Sequence, residues 1–309
     1  MTSPVPAAVA DPEAPAAAPS PGRWLRAAVQ ATRPRQWPKN LLVLAAPVAG
    51  ASVGRDDGIG YALAAIAAFT AASAAVYYVN DVLDAERDRG HPVKRHRPVA
   101  SGDLPAGHAL ALAAVVATAA LGVGLWIGEP GLTAIVALYL ALSAGYSAGL
   151  KHVPVVELGC VASGFVLRAL GGAVATHVPP SGWFLVVCSL GALAVAVGKR
   201  RGELAALGQE AAARHRPVLR FYRARGLDAV VTVLMAGLVA AYLAWAAGDA
   251  DAWRRGWHLA SAVPLAVALA RFGWLAGRGG GRGVEELILS DRVMTAAELA
   301  WLALFAAGL

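Results

Sequence analysis

Nine apolar segments of membrane-spanning length dominate this sequence and leave few ways for the chain to fold. In lipid, a helix satisfies its own backbone hydrogen bonds, and about 20 apolar residues are enough to cross the bilayer. The segments are residues 38–54, 58–80, 106–127, 131–148, 153–176, 181–199, 227–248, 256–275 and 290–308. With 58% hydrophobic and 15% charged residues, the chain is also too apolar for a soluble globular protein of 309 residues. The sequence therefore predicts an all-α, polytopic membrane protein with about nine transmembrane helices.

Basic residues are distributed unevenly between the two sides of this predicted bundle. If the N-terminus is cytoplasmic, 22 of the 27 Lys and Arg residues lie on the cytoplasmic side, and only Arg55, Arg254 and Arg255 lie outside. The remaining two, Arg168 and Arg271, fall within apolar segments. This imbalance follows the positive-inside rule, so we expect a cytoplasmic N-terminus and a C-terminus on the outer side. The net charge of +7 follows from this topology and from phosphate-bearing ligands, and no nucleic-acid partner is needed.

The first forty residues fall into two parts. Residues 1–22 are rich in Ala and Pro, and we expect a disordered cytoplasmic tail there, followed by a single transmembrane domain over residues 23–309. The next stretch, WLRAAVQATRPRQWPKN, is basic and contains Trp, which predicts a surface helix and a Pro break at the membrane interface. Four of its residues, Arg33, Arg35, Lys39 and Asn40, can alternatively reach a polar cleft.

The most polar stretch, NDVLDAERDRGHPVKRHRPVASG, lies at residues 80–102 between two apolar segments. Asp81, Asp84 and Asp88 are three and four residues apart, so on an α-helix they fall within about 60° of one another. Such hard oxygen ligands suit Mg²⁺, which commonly binds one or two carboxylates together with substrate phosphates. Asn80, at the edge of this stripe, can add a neutral oxygen. We therefore predict that Asp81, Asp84 and Asp88 hold Mg²⁺.

A basic run follows the carboxylate stripe. Pro92 and Pro98 are expected to end the helix that carries the stripe. Lys94, Arg95 and Arg97 follow it, as cations placed to hold phosphates that the metal bridges. The simpler alternative is a solvated, charged loop between two membrane helices. A solvated loop does not explain why a carboxylate stripe and a basic run occur together.

Other kinds of site find no support in the sequence. Cys160 and Cys188 both fall inside apolar segments, so neither a disulfide framework nor a thiolate metal site is predicted. There is no P-loop, no GxGxxG after a strand and no nucleophile elbow. The seven histidines form no ligand pair at helical spacing, and we interpret His91, His96 and His152 as hydrogen-bond donors in loops.

Four patterns together resemble the UbiA superfamily of intramembrane prenyltransferases. They are RPRQWPKN at residue 33, NDxxDxxxD at residue 80, HPxKxxRPxASG at residue 91 and YSxxLK at residue 146. The resemblance covers nearly all of the chain after about residue 23. It implies nine transmembrane helices around a central cavity, with Mg²⁺ held by acidic motifs on cytoplasmic loops and a lipid that enters laterally.

The second acidic motif of the superfamily is altered in this chain. Members that use a prenyl diphosphate carry another Asp-rich cluster after the sixth helix, whereas the corresponding stretch here is GKRRGELAALG. Lys199, Arg200, Arg201 and a single Glu203 stand where aspartates are expected, and Lys and Arg can bind a phosphate monoester directly. With LKHVPVVELGCVASGFVLRALGGAVA and EELILSDRVM, this pattern is similar to the decaprenyl-phosphate phosphoribosyltransferase branch. Glu157 departs from the Asp that this resemblance leads us to expect.

This resemblance implies a reaction and its participants. It implies Mg²⁺-dependent transfer of 5-phosphoribose from phosphoribosyl diphosphate (PRPP) to a polyprenyl (decaprenyl) phosphate, with release of pyrophosphate. The product would be a precursor of cell-wall arabinan, made in a bacterial plasma membrane. The lipid chain length and the oligomeric state stay open. With the charge pattern, the resemblance assigns ten substrate-binding residues: Lys39, Asn40, Asn80, Lys94, Arg97, Tyr146, Lys151, Lys199, Arg200 and Glu203.

Two other functions stay open at this point. An aromatic prenyltransferase of the same superfamily, using a polyprenyl diphosphate, would share the fold but is expected to carry the second aspartate cluster. A transporter or structural membrane protein would not need a carboxylate stripe followed by a basic loop, and the sequence shows no inverted repeat.

Several individual residues also allow two interpretations. Tyr146 can contact a diphosphate or anchor a helix at the membrane interface. Arg168 can line a water-filled cavity or serve structural pairing inside the membrane. Arg271 is expected to extend towards the interface from a helix end. The acidic residues of EELILSD, at 285–291, belong either to a solvated loop or to the site.

Overall fold

The computed structural model describes residues 21–50, 58–278 and 291–309, and all regular structure in these residues is helical. The α-helices are α1 (Pro21–Ala31), α2 (Ala45–Ala49), α3 (Gly58–Leu83), α4 (Ala85–Arg89), α5 (Pro98–Ser101), α6 (Ala106–Trp126), α7 (Pro130–Ala148), α8 (Val156–Ala175), α9 (Gly182–Leu207), α10 (Gln209–His215), α11 (Ala224–Ala247), α12 (Ala252–Gly277) and α13 (Arg292–Ala307). Short 3₁₀ segments are Pro34–Leu44, Lys94–His96, Leu150–His152 and Pro217–Phe221. The predicted all-α fold is confirmed.

Seven helices in the described part of the chain are long and apolar enough to cross a membrane: α3, α6, α7, α8, α9, α11 and α12. The predicted count of nine is not confirmed. The last predicted segment, residues 290–308, contains α13, which has only 16 residues. The first, residues 38–54, contains the end of the 3₁₀ segment and the five-residue α2, and its residues 51–54 lie outside the described ranges.

Prolines explain why the first predicted segment is not a regular α-helix. Pro34 opens the segment Pro34–Leu44, and Pro38 lies inside it. Proline has no backbone N–H, and its ring conflicts with the preceding turn of an α-helix. The segment adopts 3₁₀ geometry instead, with three residues per turn, so side chains three positions apart lie above one another.

Side-chain caps fix the starts of three long helices. The side chains of Ser181, Asp251 and Asp291 accept hydrogen bonds from backbone N–H groups in the first turns of α9, α12 and α13, respectively. These N–H groups have no partner within the helix, and a cap of this kind stabilises a helix by about 1 kcal/mol.

Two apolar cores lie on either side of α8. One contains residues of α3, α6, α7 and the 3₁₀ segment, and the other contains residues of α9 to α13. Small residues let neighbouring backbones come close, as is usual in membrane bundles. A Cβ atom on Gly172 of α8 would collide with the backbone of Val43, and one on Gly198 of α9 would collide with the ring of Phe272. The 3₁₀ segment is therefore in direct backbone contact with α8.

Candidate active site at the polar end of the bundle

One end of the bundle, here called the polar end, gathers the helix ends that carry the charged motifs. Near the end of α7, Ser147 donates a 2.6 Å hydrogen bond to the side-chain oxygen of Asn80 near the end of α3. The backbone N–H of Val155, just before α8, donates to the hydroxyl of Tyr222, just before α11, at 2.8 Å. The first contact joins the acidic stretch to the YSxxLK motif. The basic end of α9 reaches the same end through Arg200, which donates to Glu157 at the start of α8.

The acidic stretch is an interrupted helix. α3 ends at Leu83 and α4 begins at Ala85, with Asp84 between them. The i to i−4 hydrogen bonds nevertheless continue, because the N–H of Asp84 donates to the carbonyl of Asn80 and that of Asp88 donates to the carbonyl of Asp84, both at 2.9 Å. The predicted three- and four-residue stripe is therefore preserved.

The predicted roles of the two prolines are wrong. α4 ends at Arg89 with Gly90 as its C-cap, before Pro92 is reached. Pro98 does not end a helix but begins α5, where it occupies the first turn. That position suits proline because the N–H groups of the first turn have no intrahelical partner in any case.

Two of the three carboxylates are buried and share one arginine. Asp81 is 2% exposed and Asp88 is 4% exposed. One guanidinium nitrogen of Arg97 lies 2.6 Å from an oxygen of Asp88 and 3.5 Å from an oxygen of Asp81. Arg33 donates a hydrogen bond to the same oxygen of Asp81 at 2.5 Å. Cations thus neutralise a pair of carboxylates that would otherwise repel each other in a buried site.

The third carboxylate faces the solvent-accessible side of the site. Asp84 is half-buried, and its Oδ1 lies 3.1 Å from Arg87 and 3.9 Å from Nζ of Lys151. Lys151 belongs to the YSxxLK motif, so this contact joins two of the sequence motifs. The structure therefore brings Asn80, Asp81, Asp84, Asp88, Arg97 and Lys151 together, as the sequence predicts.

The carboxylates suit a metal that a substrate helps to hold. Asp81 and Asp88 already converge on a single cationic nitrogen, and both offer the hard oxygens that Mg²⁺ prefers. Among the residues that the structure describes, no group of three or more His, Cys, Asp or Glu side chains could hold a metal by itself. This donor set fits the common arrangement of one or two carboxylates plus substrate phosphate oxygens, and not a cage made by protein alone.

Lys94 lies beside the stripe and is partly buried. Burial, followed by the nearby charge of Arg97, lowers the pKa of the Lys94 ammonium group, although Asp88 and Asp84 act in the opposite direction. A lowered pKa means that this lysine loses its proton at a lower pH than an exposed lysine. The same electrostatic neighbourhood includes Arg216, which belongs to the other half of the bundle.

This lowered pKa predicts a pH dependence. If Lys94 binds a substrate phosphate, the KM for the phosphate donor should rise as the pH increases through the lowered pKa, because the cation is lost. A Lys94→Arg variant keeps its charge throughout this range and should show a flatter KM profile over the same pH values. Parallel profiles for the two proteins would show that the charge of Lys94 does not contribute to binding.

The basic end of α9 contains a buried ion pair. Arg200 is 1% exposed and Glu157, at the start of α8, is fully buried. Nε of Arg200 lies 3.0 Å from both carboxylate oxygens of Glu157, and a second nitrogen lies 2.5 Å from Glu203. Arg200 was predicted to bind substrate, but here its guanidinium connects α8 to α9. Glu157, the departure from the family pattern, has a defined partner.

Arg216 connects this cluster to α7. It donates a 3.0 Å hydrogen bond to the hydroxyl of Tyr146, and its Nε lies 3.3 Å from Glu203. These two buried atoms, Glu203 Oε2 and Arg216 Nε, form no hydrogen bond with each other or with other described atoms. Both predicted residues, Tyr146 and Glu203, therefore lie at the polar end with Arg216, a residue that the sequence did not single out.

Lys199 differs from the two arginines that follow it. Successive residues on an α-helix point about 100° apart, so three in a row cannot share one direction. Arg201 donates a 2.6 Å hydrogen bond to Asp228 of α11. Lys199 remains solvent-exposed and lies within electrostatic range of Arg33 and Arg216. Of the three basic residues, Lys199 is thus the exposed one, and Arg33, which is within its electrostatic range, pairs with Asp81. The space between Lys199 and the carboxylates is called the cleft below.

The structure places the two remaining predicted residues differently from each other. Lys39 lies within electrostatic range of Lys199, Arg168 and Arg33, and its ammonium group donates a 3.3 Å hydrogen bond to the side-chain oxygen of Gln36. Asn40 is 1% exposed and points into the bundle. Its side-chain oxygen accepts a 2.8 Å hydrogen bond from Arg168, and its amide donates to Thr70 at 3.0 Å. Asn40 is thus engaged inside the bundle and does not reach the carboxylates.

Arg33 is absent from the predicted substrate-binding residues, although the sequence indicated it as one of four residues that could reach a polar cleft. It has a positive φ of 55°, and its guanidinium lies 4.7 Å from the centre of the Tyr77 ring as well as against Asp81. Its position in the RPRQWPKN motif gave a signal, since this motif was expected to reach a cleft. No sequence motif indicated Arg216, because its contacts are made to residues 13 and 70 positions away.

The late acidic segment is described only from Asp291 onward. Glu285 and Glu286 lie outside the described residues. Arg271 does not extend freely towards the interface, but lies 2.7 Å from Asp291 and packs on the ring of Trp274. Hydrogen bonds from Arg271 and from the backbone of Met294 lower the pKa of Asp291, which keeps this link between α12 and α13 charged. Cys160 and Cys188 are free thiols.

Comparison with known proteins identifies the family of this chain. A protein-family model described as "UbiA prenyltransferase family" matches residues 41–279 of this chain. Decaprenyl-phosphate phosphoribosyltransferase of Mycobacterium tuberculosis (strain ATCC 25618 / H37Rv) is 39% identical over 292 residues, which cover 92% of this chain and 94% of that protein. The protein of the same name from Corynebacterium glutamicum is 39% identical over 285 residues, covering 88% and 83%, respectively.

A solved structure supports the fold independently. It is described as a UbiA homolog from Archaeoglobus fulgidus bound to GPP and Mg²⁺, and it superposes with a TM-score of 0.66. The superposition covers 93% of this chain and 98% of that one at 15% sequence identity, so it speaks to the fold alone. The sequence matches and the shared fold lead to one conclusion: this chain belongs to the UbiA prenyltransferase family.

Proposed function

We propose that this protein transfers 5-phosphoribose from PRPP to the phosphate of a polyprenyl phosphate and releases pyrophosphate. The observation that carries the proposal is the charge of the second motif. Glu203 is its only acidic residue, and Arg200 and Arg216 both pair with it, at 2.5 and 3.3 Å. No carboxylate there is left to hold a second metal against a prenyl diphosphate, whereas exposed Lys199 can bind a phosphate directly.

The names of the relatives support the same proposal. Proteins named decaprenyl-phosphate phosphoribosyltransferase match this chain over most of its length at 39% identity. An aromatic prenyltransferase would share the fold, but the replacement of the second aspartate cluster by paired charges disfavours it. Because these relatives are named for decaprenyl phosphate, we propose a decaprenyl chain for the lipid substrate of this protein.

The two ends of the cleft suit the two ends of PRPP. One or two of the carboxylates Asp81, Asp84 and Asp88, together with phosphate oxygens of the substrate, would hold Mg²⁺, which when bound neutralises the departing pyrophosphate. Lys94, Arg97 and Lys151 surround these carboxylates and would bind pyrophosphate oxygens. Across the cleft, Lys39 and Lys199 would bind the ribose 5-phosphate or the phosphate of the lipid.

The transfer needs little proton chemistry from the protein. A phosphate monoester has a second pKa of about 6, so the polyprenyl phosphate is largely dianionic at neutral pH. One of its oxygens attacks C1 of the ribose, a new C1–O bond forms, and the bond between C1 and the pyrophosphate oxygen breaks. The electron pair leaves with pyrophosphate. The cations of the cleft therefore orient the two anions, and direct displacement predicts inversion at C1.

The proposed location follows from the charge bias and the family. We place the protein in the bacterial plasma membrane, with its polar end and N-terminus on the cytoplasmic side. Water-soluble PRPP would enter the cleft from the cytoplasm, and the lipid phosphate would enter from the bilayer. The product would be a lipid-linked phosphoribose that serves cell-wall arabinan synthesis.

A direct assay tests the proposal. Purified protein in detergent, given labelled PRPP, MgCl₂ and a polyprenyl phosphate, should release pyrophosphate and form a labelled lipid. Addition of EDTA should stop the reaction, and MgCl₂ in excess over the chelator should restore it. The anomeric configuration of the product should be opposite to that of PRPP.

Three results would contradict the proposal in different ways. Turnover of a prenyl diphosphate with an aromatic acid, and none of PRPP, would support the aromatic prenyltransferase instead. Full activity in EDTA would remove the metal from the scheme. A product anomer matching that of PRPP would exclude direct displacement while leaving the phosphoribosyl transfer itself intact.

A further inference from the structure

Arg168 is a cation deep inside the bundle, and its known partners are all neutral. It is 5% exposed and is the thirteenth residue of α8. Its three nitrogens donate to the side chain of Asn40 at 2.8 Å, to Ser73 and Tyr139 at 2.9 and 3.1 Å, and to the carbonyl of Gly164 at 2.5 Å. No carboxylate of the described residues lies within ion-pair distance of it. A charged group in the membrane interior is costly, so it is usually retained for a function.

The hydrogen bond of Arg168 that spans the largest separation in sequence joins it to the 3₁₀ segment Pro34–Leu44. Asn40 and Arg168 are 128 residues apart in sequence, and both are buried. In 3₁₀ geometry, residues three apart lie above one another, so Asn40 and Val43 form one stripe of the segment. Both residues of this stripe are buried, and Val43 meets the backbone at Gly172 of α8. Two contacts with α8 thus fix the rotation of the segment about its own axis.

That rotation determines where Lys39 points. Lys39 precedes Asn40, so in a helix with three residues per turn it points about 120° away from the buried stripe. It lies above Gln36, whose side-chain oxygen accepts hydrogen bonds from Lys39 at 3.3 Å and from Tyr77 at 2.8 Å. Tyr77 lies against Arg33, which contacts Asp81. Lys39 is therefore part of a continuous set of contacts that ends at the carboxylates.

We propose that Arg168 is a positioning residue: by holding Asn40, it sets the rotation of the segment Pro34–Leu44 and so aims Lys39 into the substrate cleft opposite Lys199. The proposal rests on the proposed function only where it uses PRPP kinetics. Arg168 contacts neither the carboxylates nor the cations paired with them, but it lies within electrostatic range of Lys39 as well as holding the adjacent Asn40. Its effect on the site is therefore assigned to Lys39, and Asn40→Ala, which keeps the charge of Arg168, separates positioning from direct electrostatics.

Kinetic coupling between Arg168 and Lys39 tests this role. Arg168→Gln should raise the KM for PRPP by about 10- to 100-fold, because misplacement by about 1 Å is enough for a loss of this size. In a Lys39→Ala background the same substitution should add almost nothing. In a Lys151→Ala background it should keep its full effect, because Lys151 lies on a different element. Equal effects in both backgrounds would contradict the proposal, since a general loss of structure acts on both alike.

A chemical probe gives a result that does not depend on turnover. In a Cys160→Ala/Cys188→Ala protein, a Lys39→Cys variant is labelled with a water-soluble maleimide, with and without Arg168→Gln. The labelling rate of the Lys39→Cys variant should change several-fold, and the labelling rate of a Lys151→Cys variant should not. Unchanged labelling at position 39, or equal changes at both positions, overturns the positioning role even if the protein does not use PRPP.

A second variant covers the case in which Arg168→Gln does not fold. Asn40→Ala breaks the same contact from the other side and leaves Arg168 with Ser73, Tyr139 and Gly164. It should alter the labelling at position 39 in the same way. Absence of PRPP turnover by the wild-type protein would refute the proposed function alone, because the labelling result still decides the role of Arg168.

Discussion

An Asp81→Asn variant is expected to lose about 100- to 1,000-fold in the rate of phosphoribosyl transfer, a loss typical of removing one group that stabilises developing charge. Asn keeps the size and shape of the side chain but removes the negative charge. Asp81 is 2% exposed and lies between Arg33 and Arg97, so solvent cannot replace the missing carboxylate. A neutral amide is also a weaker ligand for Mg²⁺ than a carboxylate.

A matched control separates this effect from general damage. Asp103 is an aspartate near the same end, but it pairs with exposed Arg23 at 2.5 Å and belongs to no part of the proposed site. Asp103→Asn should keep nearly full activity. Both variants should elute as folded protein in detergent, with similar thermal denaturation. Wild-type rates for Asp81→Asn would remove this carboxylate from the mechanism.

A partial loss of activity in Asp84→Asn would show which of the carboxylates binds the metal. Asp84 is half-buried and faces Lys151, so Asp84→Asn places less strain on the folded protein than a change at Asp81. If Asp81→Asn does not fold, Asp84→Asn tests the same metal site. Activity that recovers as the MgCl₂ concentration is raised would show that the lost group binds the metal.

The acidic half of the site could be predicted because its spacing is local. Asp81, Asp84 and Asp88 lie within two turns of one chain segment, so helical geometry alone puts them on one side. The structure keeps this spacing even though α3 and α4 are interrupted at Asp84. Membrane-spanning segments could be predicted for a similar reason, since length and hydropathy are local properties.

The cationic half could be predicted only in part, because sequence does not show where each side chain points. Lys199 and Arg200 are neighbours and looked alike, yet Arg200 turns inward to Glu157 across 43 positions of sequence. The pairing of Arg216 with Tyr146 spans 70 positions. Such contacts depend on how helices pack and not on a repeating pattern.

The 3₁₀ segment shows the same limit for the fold. Hydropathy predicted a spanning helix at residues 38–54, but it does not distinguish an α-helix from 3₁₀ geometry. Asn40 also looked like a cleft residue because it ends the RPRQWPKN motif. Its burial depends on Arg168, which lies 128 positions away.

The second large effect is expected on stability, at the buried pair of Arg200 and Glu157. These side chains are 1% and 0% exposed, and their closest atoms lie 3.0 Å apart. Arg200→Leu would leave Glu157 as an uncompensated buried charge, which typically costs about 3–5 kcal/mol. We expect a clearly lower denaturation temperature in detergent and less protein in the membrane.

The double variant Glu157→Leu/Arg200→Leu should be more stable than Arg200→Leu alone. Replacing both members of a buried pair by apolar residues of similar volume is often close to neutral, because both desolvation costs disappear together. Glu203 would keep Arg216 as a partner in this variant. A double variant that is less stable than Arg200→Leu would show that the pair contributes more than mutual neutralisation.

Lys199→Leu provides the decisive contrast, because it changes the adjacent residue on the same helix. Lys199 is exposed to the cleft, so its loss should leave the denaturation temperature almost unchanged and should raise the KM for PRPP or for the lipid phosphate. Neighbouring basic residues would then have opposite roles, one in substrate binding and one in stability. If Arg200→Leu instead kept its stability and lost substrate affinity, Arg200 would contact substrate, and the buried pair with Glu157 would have to open during turnover. Measuring both KM values and the denaturation temperature of each variant distinguishes these cases, since a residue that only stabilises the fold changes the amount of active protein and not its KM.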